Sequence, residues 1–129
     1  MIEAGLQQRI TSSDAFAAIA NTRLHPVLLP EEAPLPAATY QSISTRPLYT
    51  LEDRVTLTEV RIQFDTWATS YGPAKALMSA IDAAIDNFTG VLSEGTRVLG
   101  VQLLTSGDLY ESAARIYRVT ADYKVQYVG

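Results

Sequence analysis

The chain contains no cysteine. That excludes disulfides and thiolate metal sites, and it suits a protein assembled in a reducing cytoplasm. It has one histidine, His25, followed directly by Pro26. No serine sits in a G-x-S-x-G elbow, so nucleophilic catalysis has almost nothing to work with. His25 is expected to be an ordinary strand-end residue. The glycines Gly90, Gly95, Gly100 and Gly107 are dispersed and fit neither a phosphate loop nor a dinucleotide fingerprint. Lysine occurs only at Lys75 and Lys124, the eight arginines are scattered, and the net charge is −4. A phosphate-gripping protein shows a basic stripe, and this chain does not. No apolar run approaches the ~20 residues that cross a bilayer. The opening MIEAGLQQR has an early acid and no apolar segment, unlike a secretory leader. No membrane partner is expected.

Paired carboxylates are present but poorly placed for chemistry. Asp82 and Asp86 stand four residues apart and flank the apolar stripe of a predicted helix. They could serve a metal or acid–base step, but no histidine or third carboxylate accompanies them, and a solvated helix face is the plainer reading. No catalytic, cofactor-binding or metal-ligating residue is assigned.

What remains is a globular pattern. With 129 residues and 47 % hydrophobic content, the chain reads as one domain, residues 1–129, large enough to bury a core without staples. Ile2, Leu6 and Ile10 form a helical stripe. Ser12 or Ser13 can cap a short helix over Asp14–Ala20 that turns Phe16 and Ile19 inward. Arg23–Leu29 reads as a short extended piece, with Pro26 restricting it to a sheet edge or loop, and Pro30–Pro36 as a rigid connector. Ala37–Ser44 is a predicted strand, Thr45–Arg54 a polar loop, and Val55–Trp67 a long strand in which Val60, Ile62 and Phe64 share a face. Val55 and Leu57 fall out of phase with that set, which predicts a bulge near Thr58–Glu59 and a hairpin arm that leaves its own core.

Gly72–Phe88 has the clearest helical pattern, with Leu77, Met78, Ile81, Ile85 and Phe88 as one stripe. Ser70 is the expected N-cap, Pro73 fits the first turn, and Gly90 is expected to close the end. Ala76, Ala80, Ala83 and Ala84 form a small-residue face suited to the N-terminal helix or to a neighbouring subunit. Val98–Thr105 is a strand with Leu99, Val101 and Leu103 on one face, and Ser106–Gly107–Asp108 is expected to turn the chain. In Arg115–Val128, Tyr117, Val119, Ala121, Tyr123, Val125 and Tyr127 alternate with polar residues, which suggests an antiparallel edge strand. Tyr117, Tyr123, Tyr127 and Trp67 read as core. Leu48, Tyr49 and Leu51, in a loop one core would not reach, read as subunit contacts. The fold class is α+β: a mostly antiparallel sheet of about four to five strands, packed by two main helices, with a long protruding hairpin.

Four segments in this order resemble one protein family. They are Arg23–Pro26; Pro36–Gln41; the central set Phe64, Asp65, Trp67, Ala68, Tyr71, Ala74, Lys75, Ala76 and Leu77; and the closing set Tyr117, Arg118, Asp122, Tyr123 and Val125. The family is that of the tail-completion, or tail-terminator, proteins that join head to tail in long-tailed phages and gene-transfer-agent-like particles. Its members often carry an aromatic residue where this chain has His25. The resemblance implies a structural virion protein with no enzymatic activity and no cofactor. It implies a homo-oligomer, a hexameric ring at the tail–neck junction, assembled in the host cytoplasm. The ring would end the tail tube, meet the tail tube protein and the neck or head-completion (stopper) protein, and let DNA pass without specific binding. On that reading Leu48, Tyr49, Leu51, Val55 and Leu57 are candidates for the subunit, tail or neck interface. Glu31, Glu32, Glu52, Asp53 and Glu94 are candidates for the lumen wall. Another neck component, a small-molecule-binding or enzymatic α+β domain, and an unrelated interaction protein stay open as alternatives.

Overall fold

The computed structural model describes residues 1–49 and 54–128. Three helices and six strands follow one another as α1 (Ile2–Thr11), α2 (Asp14–Ala20), β1 (Leu24–Pro26), β2 (Ala37–Tyr49), β3 (Arg54–Ala68), α3 (Tyr71–Ile85), β4 (Gly90–Val91), β5 (Arg97–Glu111) and β6 (Ile116–Val128). The strands form one sheet in the order β1-β2-β3-β6-β5-β4. All neighbours are antiparallel except β1 and β2, which run parallel. The fold is thus α+β, but with six strands instead of four or five and with three helices. The two additional strands are three and two residues long and carry little pattern of their own.

The helices cover one face of the sheet, and α3 packs on β3 and β6 while α1 and α2 pack on α3. The core lies between these layers. Ile2, Leu6 and Ile10 of α1 are buried as their spacing predicts, as are Leu77, Met78, Ile81 and Ile85 of α3. They meet Val60, Ile62, Phe64, Val119, Ala121, Tyr123 and Val125 from the two central strands. Fully burying a side chain of this size stabilises by roughly 1.5–3 kcal/mol. Ser13 is the N-cap of α2: its hydroxyl accepts from the Phe16 N–H at 3.2 Å. Gly5 lets α1 approach the turn before β5, where a Cβ would stand 2.8 Å from Leu92 and 2.9 Å from Glu94. Ala80 is buried and Ala84 half-buried, while Ala76 and Ala83 stay exposed. The N-terminal helices therefore take up much of the alanine face.

Several expectations are corrected. Thr45–Tyr49 is strand and not loop: β2 continues to Tyr49, and Pro47 pairs with Thr58. The pairing of Thr58 and Glu59 is regular. The expected irregularity lies immediately before them, where the register breaks between Pro47 and Tyr49 opposite Arg54–Thr58, and a second break falls at Ile43, the extra residue between Ser42 and Ser44. Helix α3 ends at Ile85, and Asn87 takes the left-handed conformation (φ 59°) that closes it, so Gly90 is free to open β4. Ser106–Gly107–Asp108 does not turn. All three pair with β6, and the turn lies at residues 112–115, with Arg115 at φ 57°. Leu99 is not on the face of Val101 and Leu103, because a bulge between Val98 and Gly100 ejects it and turns Val98 inward. Strand β6 is central, not an edge; its polar side is the bare outer face of the sheet.

Candidate functional site

The outer face of the sheet is a set of cross-strand polar pairs. Arg46 donates to Glu59 (2.8 Å), Arg61 to Asp122 (2.6 Å), Gln63 to Thr120 (2.7 Å) and Gln126 to Glu59 (3.2 Å). The Gln126 amide, followed by the charge of Arg46, holds the Glu59 carboxyl below its usual range. At the end nearer α3, the Arg118 guanidinium lies 4.8 Å from the Trp67 ring and donates to Asp65 at 3.1 Å. The Trp67 indole N–H reaches Thr39 Oγ1 at 3.4 Å. Trp67 is thus half-buried on the outer face, not core. Beneath this cover Asp65 and Thr39 are only 4 % and 3 % exposed. Arg46, Arg61 and Arg118 on this face are each paired with a carboxylate.

Two apolar features stand apart from the core. The first is strand β5. Its helix-side residues Val98 and Val101 are buried, but farther along Leu103, Leu104, Leu109 and Tyr110 are exposed, with Leu104 ejected by a second bulge between Leu103 and Thr105. Between α3 and β5 runs a cleft of about 240 Å³, lined by Met78, Ser79, Leu103, Val119, Ala121 and Tyr123 among others. It is closed at one end by Asp108, which accepts from the Tyr71 hydroxyl (2.7 Å) and Lys75 (3.2 Å). At the other end the Asn87 N–H donates to the Val101 carbonyl at 3.1 Å. The floor holds Tyr123, whose hydroxyl donates to Asp82 at 2.6 Å. Burial above all, then that bond and the charges of Asp82 and Asp86, pushes the Tyr123 hydroxyl far above its usual range. Among the described residues no cluster of three metal-ligating side chains occurs.

The second feature is Val27–Leu28, at the end of β1. Val27 is 68 % and Leu28 77 % exposed. Val27 has φ 62°, and the Leu28 N–H donates back to the Pro26 carbonyl at 2.6 Å. A β-branched residue at the centre of such a three-residue turn is strained.

The structure scatters the sequence-predicted interface and lumen residues. Leu48 and Leu57 are half-buried on the β2–β3 hairpin, whose Tyr49–Arg54 pair projects past the last pairing of β3 with β6 at Leu57 and Val128. Leu51, Glu52 and Asp53 lie outside the described residues, as do the side chains of Tyr49 and Val55. Glu31 and Glu32 are exposed in the connector between β1 and β2. Glu94 serves the fold: it accepts from Thr96, whose N–H lies at 2.8 Å, and then from the N-terminal ammonium at 2.9 Å, and these bonds, that from Thr96 above all, hold its carboxyl down to about 2. His25 is half-buried, with Nε2 lacking a partner. Val27–Leu28 and the α3–β5 cleft were missed in the sequence. The apolar run Val27–Leu29 inside a proline-bounded connector was the available signal for the first.

Comparison with known proteins gives these surfaces a context. The family model described as tail completion protein gp17 matches residues 4–127. No curated protein matches the chain. A chain in the solved structure of the virion of a native gene transfer agent (GTA) particle shares the fold at a TM-score of 0.80 and 17 % identity, over 99 % of this chain and 95 % of that one. The chain belongs to the tail completion protein gp17 family.

Proposed function

From this membership we propose that the protein is a structural virion component that completes the tail as a ring of six. The family match across residues 4–127 carries the reading, and the fold shared with a gene transfer agent virion chain supports it. In this reading the ring ends the tail tube, contacts the tail tube protein on one side and the stopper of the neck on the other, and acts without catalysis or cofactor. The β2–β3 hairpin, with Leu48, Tyr49, Leu51, Val55 and Leu57, is assigned to contacts outside its own subunit.

DNA passes through the ring without being held. A chain of net charge −4 gives a hexamer of about −24, which repels the duplex. Arg46, Arg61, Lys75 and Arg118 are each paired with a carboxylate, so binding phosphate would require breaking those pairs. Glu31, Glu32, Glu52, Asp53 and Glu94 are the wall candidates, and Glu94 would present a charge already shared with the N-terminus.

The test is imaging of particles at the tail–neck junction. Sixfold density fitted by this fold, between tube and neck, is the expected result. Threefold or twelvefold density for this chain would reject the ring, and a position on the neck side of the tail end would make it a stopper instead.

A further inference from the structure

The outer edge of β5 is open from Gln102 to Glu111, between its pairing with β4 at Arg97 and Val98 and the turn at residues 112–115. Every residue of this stretch is exposed. The partners on β6 fix which way each side chain points. Leu103, Ser106, Asp108 and Tyr110 pair with Tyr123, Ala121, Val119 and Tyr117 and lie on the helix side of the sheet. Gln102, Thr105, Gly107, Leu109 and Glu111 pair with Lys124, Asp122, Thr120, Arg118 and Ile116 and lie on the outer side. Leu104 is the extra residue of the bulge. Its insertion makes the stretch symmetrical, with four paired positions on each side of Gly107. We propose that two copies of this chain join their sheets along this edge, antiparallel, about a two-fold axis that passes by Gly107 perpendicular to the sheet.

Three observations select a second copy as the partner. The first is that the edge matches itself. The axis carries helix side onto helix side and opposes Gly107 to Gly107, Ser106 to Asp108, Thr105 to Leu109, Leu103 to Tyr110 and Gln102 to Glu111. Leu103 then packs beside the Tyr110 ring, each Asp108 meets a hydroxyl, and no like charges are opposed. An axis one residue further on would set Asp108 against Asp108, a destabilising pair. An axis one residue back would set Leu103 against Asp108. The second observation is Gly107 itself. Glycine weakens a strand interior and marks places where another backbone comes close. Gly107 has no left-handed φ, and a Cβ there would meet nothing within 4 Å in its own chain. Its own fold therefore gives no reason for glycine, whereas the axis brings a second backbone to this point. The third is the other edge of the sheet. Beyond its pairing with β1 at Tyr40, β2 carries the Ile43 bulge, Arg46 and Pro47, features that blunt an edge. That disfavours joining β5 to β2 of the next copy in an endless sheet. The closed pair, which uses the same edge twice, avoids it.

A ring about one sixfold axis contains no such two-fold, so the pair is a form of the free chain outside the particle, and its failure would leave the ring reading untouched. The test uses the purified chain. Sedimentation equilibrium should show monomer and dimer, with the dimer fraction rising with concentration. Because the chain has no cysteine, Gly107→Cys supplies a single thiol at the axis, at an exposed position open to a side chain. Opposed residues of antiparallel strands have Cα atoms about 4.5–5.5 Å apart, within the roughly 4.4–6.8 Å that a disulfide spans. Mild oxidation should therefore give a covalent dimer and nothing larger. Thr105→Cys alone and Leu109→Cys alone place each thiol about 13 Å along the strand from its own counterpart. Each should stay monomeric, while a mixture of the two gives the covalent dimer. Gly107→Glu and Gly107→Lys, which oppose like charges at the axis, should each raise the dimer dissociation constant at least tenfold without lowering the melting temperature of the dilute chain, and mixing them should restore dimers. A chain that stays monomeric at every concentration overturns the pair. So do a failure of Gly107→Cys to cross-link, equal cross-linking by all three single cysteine variants, and native-level dimers from Gly107→Glu and Gly107→Lys taken separately.

Discussion

Replacing Tyr123 with phenylalanine tests how the cleft floor is held. The ring is 1 % exposed and packs edge-on against Phe64, with centroids 5.7 Å apart and planes at 77°. Tyr123→Phe keeps that packing and removes only the hydroxyl that donates to Asp82 at 2.6 Å. A hydrogen bond to a charged group contributes about 1.5–3 kcal/mol. Asp82 is half-buried, so its carboxylate regains water when the bond is lost, and the net cost falls to about 1–2 kcal/mol. With a urea m-value of roughly 1.5–2 kcal/mol/M the midpoint drops by about 0.5–1 M at constant m. Asp82→Ala leaves the phenol without its acceptor and costs about 1–3 kcal/mol. Because both changes remove one bond, the double variant should match the worse single one, with a coupling of about 1–2 kcal/mol. Alkaline pH gives an independent check. The folded-state Tyr123 hydroxyl titrates above its ordinary value of 10.0, so its contribution is complete below that value and is lost as pH rises past it, where the unfolded chain ionises first. The native chain should lose stability above pH 10 more steeply than Tyr123→Phe. Additive single variants, within about 0.5 kcal/mol, together with parallel alkaline profiles, would refute the reasoning.

Acid should act through Glu94. Its carboxyl is held down to about 2 from 4.5, so the stabilisation is present above 4.5 and is lost as pH falls towards 2; melting curves of the native chain and Glu94→Gln should differ at pH 6 and converge near pH 2. Equal differences at both pH values would show that the contribution is not ionic. Duplex DNA should bind the purified protein more weakly than about 1 μM at physiological ionic strength. Tighter binding that falls steeply with added salt in a titration would identify a phosphate-gripping surface and reject the passive conduit.

The parts of the fold legible in the sequence were those set by periodicity over a full element. The stripe of Ile2, Leu6 and Ile10, the Ser13 cap, and the alternation of β3 and β6 are local properties, and the structure keeps them. Trp67 was also legible by parity. It alternates with Phe64 and shares the outward phase of Arg61, Gln63 and Asp65, and only its aromatic character argued for the core. The misplaced turn has a different cause. Ser106–Gly107–Asp108 has turn composition, but pairing with Ala121, Thr120 and Val119 overrides it, and Asp108 is occupied as an acceptor for Tyr71 and Lys75. The true turn uses Arg115 in the left-handed region, which no glycine or asparagine announces. Likewise a one-sided polar strand reports a bare face and not an edge, so the central place of β6 depended on neighbours that the sequence does not name. The Val27–Leu28 turn was hidden for the same reason: valine is a poor marker of positive φ.

Strand β5 bears directly on the proposed assembly. From Gln102 to Glu111 every residue is exposed, and among the described residues no backbone hydrogen bond reaches the edge turned away from β6. Free edges of this length template pairing with other chains, and soluble proteins blunt them with lysine, proline, inward charge or bulges. Arg97–Glu111 contains no lysine and no proline. Its Asp108 is consumed in closing the cleft, and its bulges eject leucines at 99 and 104 where a polar residue would have protected the edge. Solubility is left to the net charge of −4. A monomer that exposes Leu99, Leu103, Leu104, Leu109 and Tyr110 along one strand is poorly suited to remaining alone. The same strand makes physical sense in a particle component whose edge is covered on assembly.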